Sequence, residues 1–334
     1  MATIKDVAKT AQVSVASVSR YLNEPERVKA ATRERIADAI RRLNYQPSAL
    51  AVSMRTRQTQ NIALIIQSIT NMYYIDLHGA IRDAVDRHSY SISIFITDRN
   101  ESELRKTIDI VRRNNYAGVI LGFLDEPGVQ RDLEELNKTI PLVLITCDPS
   151  QSTIDNIHLD ARDGLFRATE HLLGIGRKRV AYIGAAPNSV ISTEKYIGYA
   201  NALERNGLAV NPKLVFHGAR QHFSTGMEGT AHLLSLPERP DGIVCTTDDI
   251  GIGCIKQLLV DKVPVPDAVA VAGFNGISVL HSYEPELTTV AQPLQMMADT
   301  AVQMLMDRIK GGTPDAVRKV VVKGELIVSN SSVS

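Results

Sequence analysis

Residues 3–23 have the sequence TIKDVAKTAQVSVASVSRYLN, in which two short helical patterns are separated by a polar break. In the first pattern, Thr3 is followed three residues later by Asp6, which is the spacing of a capping box. Ser14 stands where its hydroxyl can cap the second helix. Both helices carry apolar residues at helical spacing, so each has one face suited to burial. Two helices joined by a tight turn predict a helix-turn-helix, the motif that places its second helix in the major groove of DNA.

A third helical pattern follows a loop at 23–26 and ends before Pro47, because the residue before a proline disfavours helical geometry. Its inward-facing residues are Ile36, Ile40 and Leu43. Residues 48–56, SALAVSMRT, suit one short helix, which is too short to be stable alone in water. We therefore expect an all-α headpiece over residues 1–46, followed by a hinge helix and linker over residues 47–59.

Charge is distributed unevenly along the chain, although the net charge of all 334 residues is zero. Residues 1–58 contain eleven Lys and Arg against five Asp and Glu, which gives +6 and leaves −6 for the remaining 276 residues. A basic head on an acidic body suggests that a polyanion binds at one end only.

After residue 60 the sequence alternates between apolar runs of strand length and amphipathic helical segments. This alternation predicts parallel, doubly wound α/β sheets, which bind ligands at the carboxyl ends of their strands. The expected strands are 61–66, 91–96, 117–121, 142–145, 180–183, 242–245 and 269–273. The expected helices include 75–88, 101–114, 162–173, 194–206 and 224–235. Two strand-like segments, 319–323 and 325–328, are expected to form a late hairpin-like pair.

Several classes of protein are disfavoured by what the sequence lacks. The start, MATIKDVAKTAQ, does not have the pattern of a signal peptide, and the apolar runs are too short to span a membrane. Cys147, Cys245 and Cys254 follow no metal or disulfide spacing, so we expect small core residues in a reducing cytoplasm. Because no motif for phosphate, dinucleotide or zinc chemistry occurs, we expect neither an enzyme nor a cofactor or metal site.

The order of several motifs along the whole chain resembles the lactose-repressor/galactose-repressor family. In the headpiece these motifs are the stretch at 3–23 quoted above, TRERI at 32–36 and LNYQP at 43–47. In the core they are Asp160, Asp163-Gly164, His171-Leu172, GRKR at 176–179, Gly198-Tyr199, Asp248, Gly273-Phe274 and LTTVAQP at 287–293.

The resemblance implies a two-lobed core like the type I periplasmic sugar-binding proteins, with a ligand between the lobes. The first lobe is then expected over about 60–159 and 291–320, and the second over about 160–290 and 321–334. The implied function is a DNA-binding transcription regulator of the cytoplasm and its nucleoid, more often a repressor than an activator. A near-palindromic operator and a homodimer are expected, because one headpiece contacts one half-site.

By the same resemblance, Val15, Ala16 and Arg20 match the family's base-reading positions. Val15 and Ala16 can touch thymine methyl groups but cannot hydrogen-bond a base edge, so Arg20 is expected to carry much of the direct readout. The other headpiece residues expected at the DNA or in the adjoining loops are Thr3, Ser14, Ser17, Ser19, Asn23, Arg27 and Lys29. The alternative for each of these residues is a solvated surface side chain with no specific contact to DNA. Lys29 also departs from the capping serine common in the family, so the start of the third helix is not fixed by the motif.

In the hinge, the family pairs two helices in the minor groove, where an apolar side chain wedges between base pairs. Met54 stands where the family usually has Leu, Arg55 is expected at a flanking phosphate, and Ala51 is expected on the same DNA-facing helix. The alternative is a plain linker whose Met54 packs on the core.

For the effector site, the resemblance places Tyr73 and Tyr74 on a loop at the pocket and Phe223 where relatives stack a ring on the ligand. The carboxylates expected near strand ends are Asp98, Asp160 and Asp248. Asp248 can accept sugar hydroxyls, and its alternative is a cap on the following helix. Relatives that bind sugars often have Arg at Lys195 and Asp at Asn275, so a sugar acid or sugar phosphate joins neutral sugars among the expected effectors.

Three alternatives remain open on the sequence alone. An enzyme and a transport binding protein are disfavoured by the missing motifs and by the basic head. A regulator controlled by a partner protein, such as a phosphocarrier protein, stays possible. Whether an effector releases or promotes DNA binding is also open, and a dimer is favoured over a tetramer because no heptad tail follows the core.

Overall fold

The computed structural model describes residues 2–45, 59–122, 127–145, 153–185, 189–311 and 316–333. The chain divides into two compact units, Met1–Gln60 and Asn61–Ser334. None of the helices described in these ranges is long and apolar enough to cross a membrane.

The first unit is built from three helices, α1 (Ile4–Thr10), α2 (Val15–Asn23) and α3 (Ala30–Leu43). The expected capping box is confirmed, because Asp6 N–H donates to Thr3 Oγ1 at 3.3 Å and Thr3 N–H donates to Asp6 Oδ2 at 2.8 Å. Ser14 caps α2, accepting from Ser17 N–H at 3.1 Å. The turn between the two helices places Gln12 at a φ of 53°, in the left-handed region.

A small apolar core holds these helices together. Its fully enclosed side chains are Val7, Ala8, Ala11, Val18, Ile36 and Ala39. The short alanine side chains let α1 approach its neighbours closely, and Val18 anchors α2 from its inner side. The opposite side of α2 is thereby left at the surface.

The second unit contains two sheets of six strands each. The strands are β1 (Asn61–Ile66), β2 (Ser91–Ile96), β3 (Gly118–Leu121), β4 (Leu142–Ile145), β5 (Asp155–Leu159), β6 (Val180–Ala185), β7 (Val215–Gly218), β8 (Gly242–Cys245), β9 (Ala270–Asn275), β10 (Thr288–Ala291), β11 (Lys319–Val322) and β12 (Glu325–Ile327). The first sheet has the order β11-β5-β4-β3-β1-β2, and the second has the order β12-β10-β9-β8-β6-β7. All pairings are parallel except that of β10 with β12, so the doubly wound class is confirmed.

Helices cover the faces of both sheets. They are α4 (Met72–Asp86), α5 (Glu101–Arg113), α6 (Gln130–Asn137), α7 (Ala161–Gly174), α8 (Val190–Arg205), α9 (Phe223–Leu234), α10 (Asp248–Val260) and α11 (Leu294–Ile309). The pair α7 and α8 packs especially closely, because a Cβ atom at Gly198 would lie 2.3 Å from the carbonyl oxygen of Arg162. The glycine of the Gly198-Tyr199 motif is therefore required by packing.

The last two strands correct one expectation. β11 joins the first sheet beside β5, whereas β12 joins the second sheet antiparallel to β10, so the expected hairpin-like pair is wrong. Each strand completes the edge of a different sheet, and the chain changes lobe between Val322 and Glu325, slightly later than expected.

A buried charge cluster fixes that edge of the first lobe. The Asp155 side chain is 1% exposed and accepts bonds of 2.7–3.0 Å from the side chains of Arg308 and Arg318 and from the backbone N–H of Arg318. Although burial opposes ionisation, these hydrogen bonds and charges hold the pKa of Asp155 below its usual value. The cluster joins the start of β5 to α11 and to the residue that precedes β11.

Candidate DNA-contacting face and effector cleft

The outer side of α2 presents an exposed face near its amino-terminal end. Val15 is 42% exposed, and Ala16 and Arg20 are also exposed. Ala16 and Arg20 are four residues apart, so their side chains lie on the same side of the helix. The face combines small apolar groups with one long guanidinium, a composition suited to thymine methyl groups and a guanine edge.

Several of the other headpiece residues expected at DNA already have structural roles. Thr3 and Ser14 use their hydroxyls as caps, and Ser17 Oγ lies 2.9 Å from Ser14 Oγ. Arg27 is highly exposed and pairs with Glu24 at 2.9 Å. Ser19 is half-buried and has a partner of its own.

Helix α3 begins without help from a side chain. Lys29 occupies its N-cap position and makes no side-chain cap, yet the Lys29 carbonyl accepts from the backbone of Thr32 and of Arg33 at 2.9 Å. The departure from a capping serine therefore does not prevent the helix from starting there. The Asn23 side chain and the hinge residues Ala51, Met54 and Arg55 lie outside the described residues, as does Cys147.

A cleft opens between the two lobes of the second unit, at the carboxyl ends of the strands. It encloses about 610 Å³, including solvent at its mouth. Its lining residues are Asn71, Tyr73, Tyr74, Arg99, Leu159, Ala161, Ser189, Ile191, Ser192, Lys195, Gln221, Thr247, Phe274, Asn275 and Gln292. Such a position at strand ends is where doubly wound sheets bind small molecules.

Tyr73 and Tyr74 form the wall contributed by the first lobe. Asn71 caps α4 through the backbone N–H of Tyr73 at 2.9 Å, which fixes the helix start that carries both rings. The two rings meet edge to face with centroids 5.3 Å apart, and Tyr74 donates its hydroxyl to Gln67 Oε1 at 3.0 Å. Both side chains are largely buried, so they line the cleft and also pack α4 against the core.

Lys195 projects from α8 into the floor of the cleft. Its ammonium donates to the carbonyl oxygen of Thr246 at 2.7 Å and lies 4.0 Å from the centroid of the Phe274 ring. Burial lowers the pKa of Lys195 to about 7, although the nearby Asp248 carboxylate raises it. The amine can therefore gain or lose its proton near neutral pH.

Asn275 ends β9 at the cleft and has a φ of 133°, outside the usual range for a side chain of this kind. Its Oδ1 accepts from Gln292 Nε2 at 2.9 Å. The Oε1 atom of Gln292 is buried, and no partner for it occurs among the described residues. A free acceptor thus remains at the cleft wall.

Asp248 is close to the cleft but is used internally. Its Oδ1 accepts from Thr289 Oγ1 at 2.6 Å, its Oδ2 accepts from the backbone of Ile277 at 3.0 Å, and Gly276 N–H also donates to it. Its relative exposure is 0%. Burial raises the pKa of Asp248 to about 6, against the lowering effect of these bonds. The carboxylate that was expected to accept sugar hydroxyls instead holds the loop after β9, because three protein donors already surround it.

Three further residues expected at the effector site do not line the cleft in the structure. Asp98 is exposed in a left-handed turn, and its neighbour Arg99 lines the cleft instead. Asp160 caps α7 by accepting from Asp163 N–H at 3.0 Å. Phe223 starts α9, whose backbone packs tightly on α10, and its ring lines a different cavity. Gln221, two residues earlier, is the cleft residue of this segment, and no local pattern in the sequence indicates that shift.

The two lobes also touch through carboxylates beside the cleft. Asp76 of α4 accepts from the backbone N–H of Ser278 at 2.8 Å and from its hydroxyl at 2.7 Å. Asp249, at the start of α10, accepts from the backbone N–H of Met72, and burial raises its pKa to about 6. We call these four residues the interlobe contacts.

The second cavity belongs to an apolar face on the outside of the second lobe. Its lining residues are Phe223, Ile252, Ile255, Lys256, Leu259, Tyr283, Glu284, Pro285 and Leu287. Leu259 and Tyr283 are nearly half exposed there, and Val260 is exposed beside them. Contiguous apolar surface of this kind commonly marks an interface with another protein.

Comparison with known proteins gives matches to both units. Residues 3–48 match the model of bacterial regulatory proteins of the lacI family, and residues 169–332 match a periplasmic binding protein-like domain. The HTH-type transcriptional regulator RegA of Clostridium saccharobutylicum is 30% identical over 336 residues, with 100% of both chains covered. The HTH-type transcriptional repressor PurR of Mannheimia succiniciproducens is 28% identical, covering 99% of this chain and 98% of that protein. The fold is similar to that of a lac repressor dimer bound to operator and an anti-inducer, with a TM-score of 0.86, 22% identity, and coverage of 100% and 99%.

Proposed function

The chain belongs to the lacI family of bacterial regulatory proteins, and we propose that it is a repressor whose operator affinity is set by a small molecule in the interlobe cleft. As a member of that family it is a DNA-binding transcription regulator and not an enzyme. The observation that supports the DNA half is the exposed face of α2, and the lined cleft supports the effector half. Its place of action is the cytoplasm, at the nucleoid.

Arg20 reads a guanine edge in each half-site, while Val15 and Ala16 contact neighbouring thymine methyl groups. A guanidinium can donate two hydrogen bonds to guanine O6 and N7, which the two small apolar residues cannot do. The specificity of the headpiece therefore depends mainly on Arg20. The other cationic residues of the headpiece contact phosphates and so position the headpiece on the DNA.

The test uses operator DNA selected from random sequence by the full-length protein. Replacing Arg20→Ala is expected to weaken binding by about 1–3 kcal/mol, or roughly 5- to 150-fold, and to relax the preference at one base pair of each half-site. Arg27→Ala is the matched control, because loss of a phosphate contact weakens all sequences alike and lowers the salt slope by about one. A loss below about 1 kcal/mol with an unchanged base preference in Arg20→Ala refutes this assignment.

The hinge keeps the role expected for it. From the sequence alone, since residues 46–58 lie outside the described ones, we propose that Met54 enters the minor groove as an apolar wedge and that Arg55 and Ala51 contact the DNA beside it. Because methionine is flexible, it can fill the wedge position usually held by leucine.

The cleft binds a sugar, a sugar acid or a sugar phosphate. Aromatic and aliphatic walls with a few convergent polar groups are typical of sites for ligands of this size. An effector that contacts both lobes binds more tightly to the arrangement of the lobes in which both contacts are made. It changes operator affinity only through this difference in its affinity for the two arrangements.

A homodimer places two headpieces on a near-palindromic operator. We assign the apolar face around Leu259 and Tyr283 to the contact between the two copies. A two-fold interface places the same patch of both subunits in contact, and the exposed apolar groups there gain from burial at about 25 cal/mol per Å².

A further inference from the structure

The charges of the cleft have one sign. Among the described residues that line it, Arg99 and Lys195 are the charged side chains, and both are cationic. One comes from each lobe, so a ligand between the lobes meets a positive group on either side. No carboxylate occurs in that lining, although Asp248 lies behind it.

Lys195 is built into the site rather than placed at its rim. The residue is 6% exposed, and its ammonium has Thr246 O and the Phe274 ring as described neighbours. An ammonium has three protons to donate, and among the described residues Thr246 accepts one of them. A buried cation with unused donors at a cavity wall favours a ligand that brings negative charge, because a buried charge is stable only when it is paired.

Two helix starts strengthen this preference. Ser189 caps α8 and Asn71 caps α4, and both caps line the cleft. The amino ends of these helices carry partial positive charge, which stabilises an anion nearby. Gln292 also lines the cleft, and its free Oε1 is suited to accept from a hydroxyl group.

We propose that the effector is an anionic polyol, with a carboxylate or phosphate paired by Lys195 and Arg99 and a hydroxyl donating to Gln292. This inference rests on the proposed function, in which the cleft binds a small molecule. It narrows the ligand to the acidic members of the sugar class.

Binding of such an anion is linked to proton uptake by Lys195. Asp248 at the start of α10 is the charged group that acts on this amine, Arg99 of the first lobe shares the cleft lining with it, and Asp249, whose pKa burial also raises to about 6, follows Asp248 in the helix. Asp248 is already held by three donors, so an entering anion is the new partner that favours the charged amine. Because burial lowers the pKa of Lys195 in the free protein to about 7, the charged fraction of the amine falls as the pH rises from 6 to 8. Affinity for a carboxylate therefore falls as the pH rises from 6 to 8, since only the charged amine pairs with it.

The experiment measures ligand-induced thermal stabilisation and calorimetric affinity of the full-length protein. The probes are D-glucuronate, D-galacturonate and D-gluconate, glucose 6-phosphate and fructose 6-phosphate, and neutral glucose, galactose and fructose. Carboxylates serve for the pH series, because their own ionisation lies well below pH 6, whereas a phosphate ionises near it. Lys195→Gln removes the cation, and Arg205→Gln is the matched control on the same helix, since Arg205 is highly exposed.

We expect an acidic probe to bind and, for a carboxylate, its Kd to rise between pH 6 and pH 8. In Lys195→Gln we expect the affinity to fall at least tenfold at pH 6 and the Kd to change less with pH, whereas Arg205→Gln should keep both the affinity and the pH dependence of the wild type. For a phosphate, the difference between the two variants is the deciding measurement. The proposal is overturned if only neutral sugars bind, if none of the acidic probes binds, or if Lys195→Gln binds the anion as well as the wild type. Operator binding by the wild-type protein is measured separately. If the wild type binds operator but the anion proposal fails, the DNA-binding function is unaffected. If the wild type binds no operator, the proposed function itself is wrong.

Discussion

Removal of the Asp76 carboxylate should release the two lobes from each other. Asp76 accepts two bonds from Ser278, and hydrogen bonds to charged groups contribute about 1.5–3 kcal/mol each when they are sheltered. Ser278 is exposed, so we assign about 1 kcal/mol to each bond and about 2 kcal/mol to the pair. Since 1.4 kcal/mol is tenfold, Asp76→Ala should shift the balance between joined and separated lobes by about thirtyfold.

The assay is backbone hydrogen exchange of the ligand-free protein, followed in peptides that cover 66–76 and 274–283. In Asp76→Ala these peptides should exchange up to about thirtyfold faster, because the Ser278 amide loses its acceptor and the lobes separate more often. Ser278→Ala removes only the hydroxyl bond and should give about fivefold.

Asp83→Ala is the matched control, because Asp83 lies on the same helix and pairs only locally with Arg82 among the described residues. Equal exchange in the wild type and Asp76→Ala would show that the contact between Asp76 and Ser278 does not hold the lobes together.

Two further predictions concern stability and assembly. Asp155→Ala should lower the free energy of unfolding of the core by about 3–5 kcal/mol in urea titration, because Arg308 then loses the carboxylate it pairs with and Arg318 keeps only its pair with Asp307; a loss below about 1 kcal/mol contradicts the role of the cluster. Leu259→Asp should convert a dimer to monomers in analytical ultracentrifugation with little change in unfolding, whereas Leu208→Asp, also exposed, should remain dimeric. A dimeric Leu259→Asp protein, or a monomeric wild type, rules out this face as the interface.

Much of the secondary structure could be predicted because local signals were strong. The bounds expected for β1, β2, β4 and β8 are confirmed, since each is a short apolar run between turns. The strand β5 was missed because its sequence, DNIHL, begins with a carboxylate whose burial depends on two distant arginines. The late hairpin was wrong because sheet membership is a tertiary property that alternation along the chain does not encode.

The cleft shows the same division between local and tertiary information. Tyr73, Tyr74, Lys195 and Asn275 line it at positions that the family resemblance implied. Asp248 has the residue type and place for a ligand contact, yet its partners Thr289 and Ile277 come from a later part of the chain, so its internal role could not be seen in the sequence.

The separate destinations of β11 and β12 also govern how the protein can be made. The first sheet lacks its edge strand β11, and its lobe lacks helix α11, until the ribosome has translated almost the whole chain. The second lobe is interrupted in the same way, because β12 follows β11. Neither lobe is a continuous stretch of polypeptide, so the usual order in which domains fold one after another during synthesis does not apply within the core. A release of the nascent chain before about residue 319 therefore leaves both lobes unfinished at once, with sheet edges exposed to other chains.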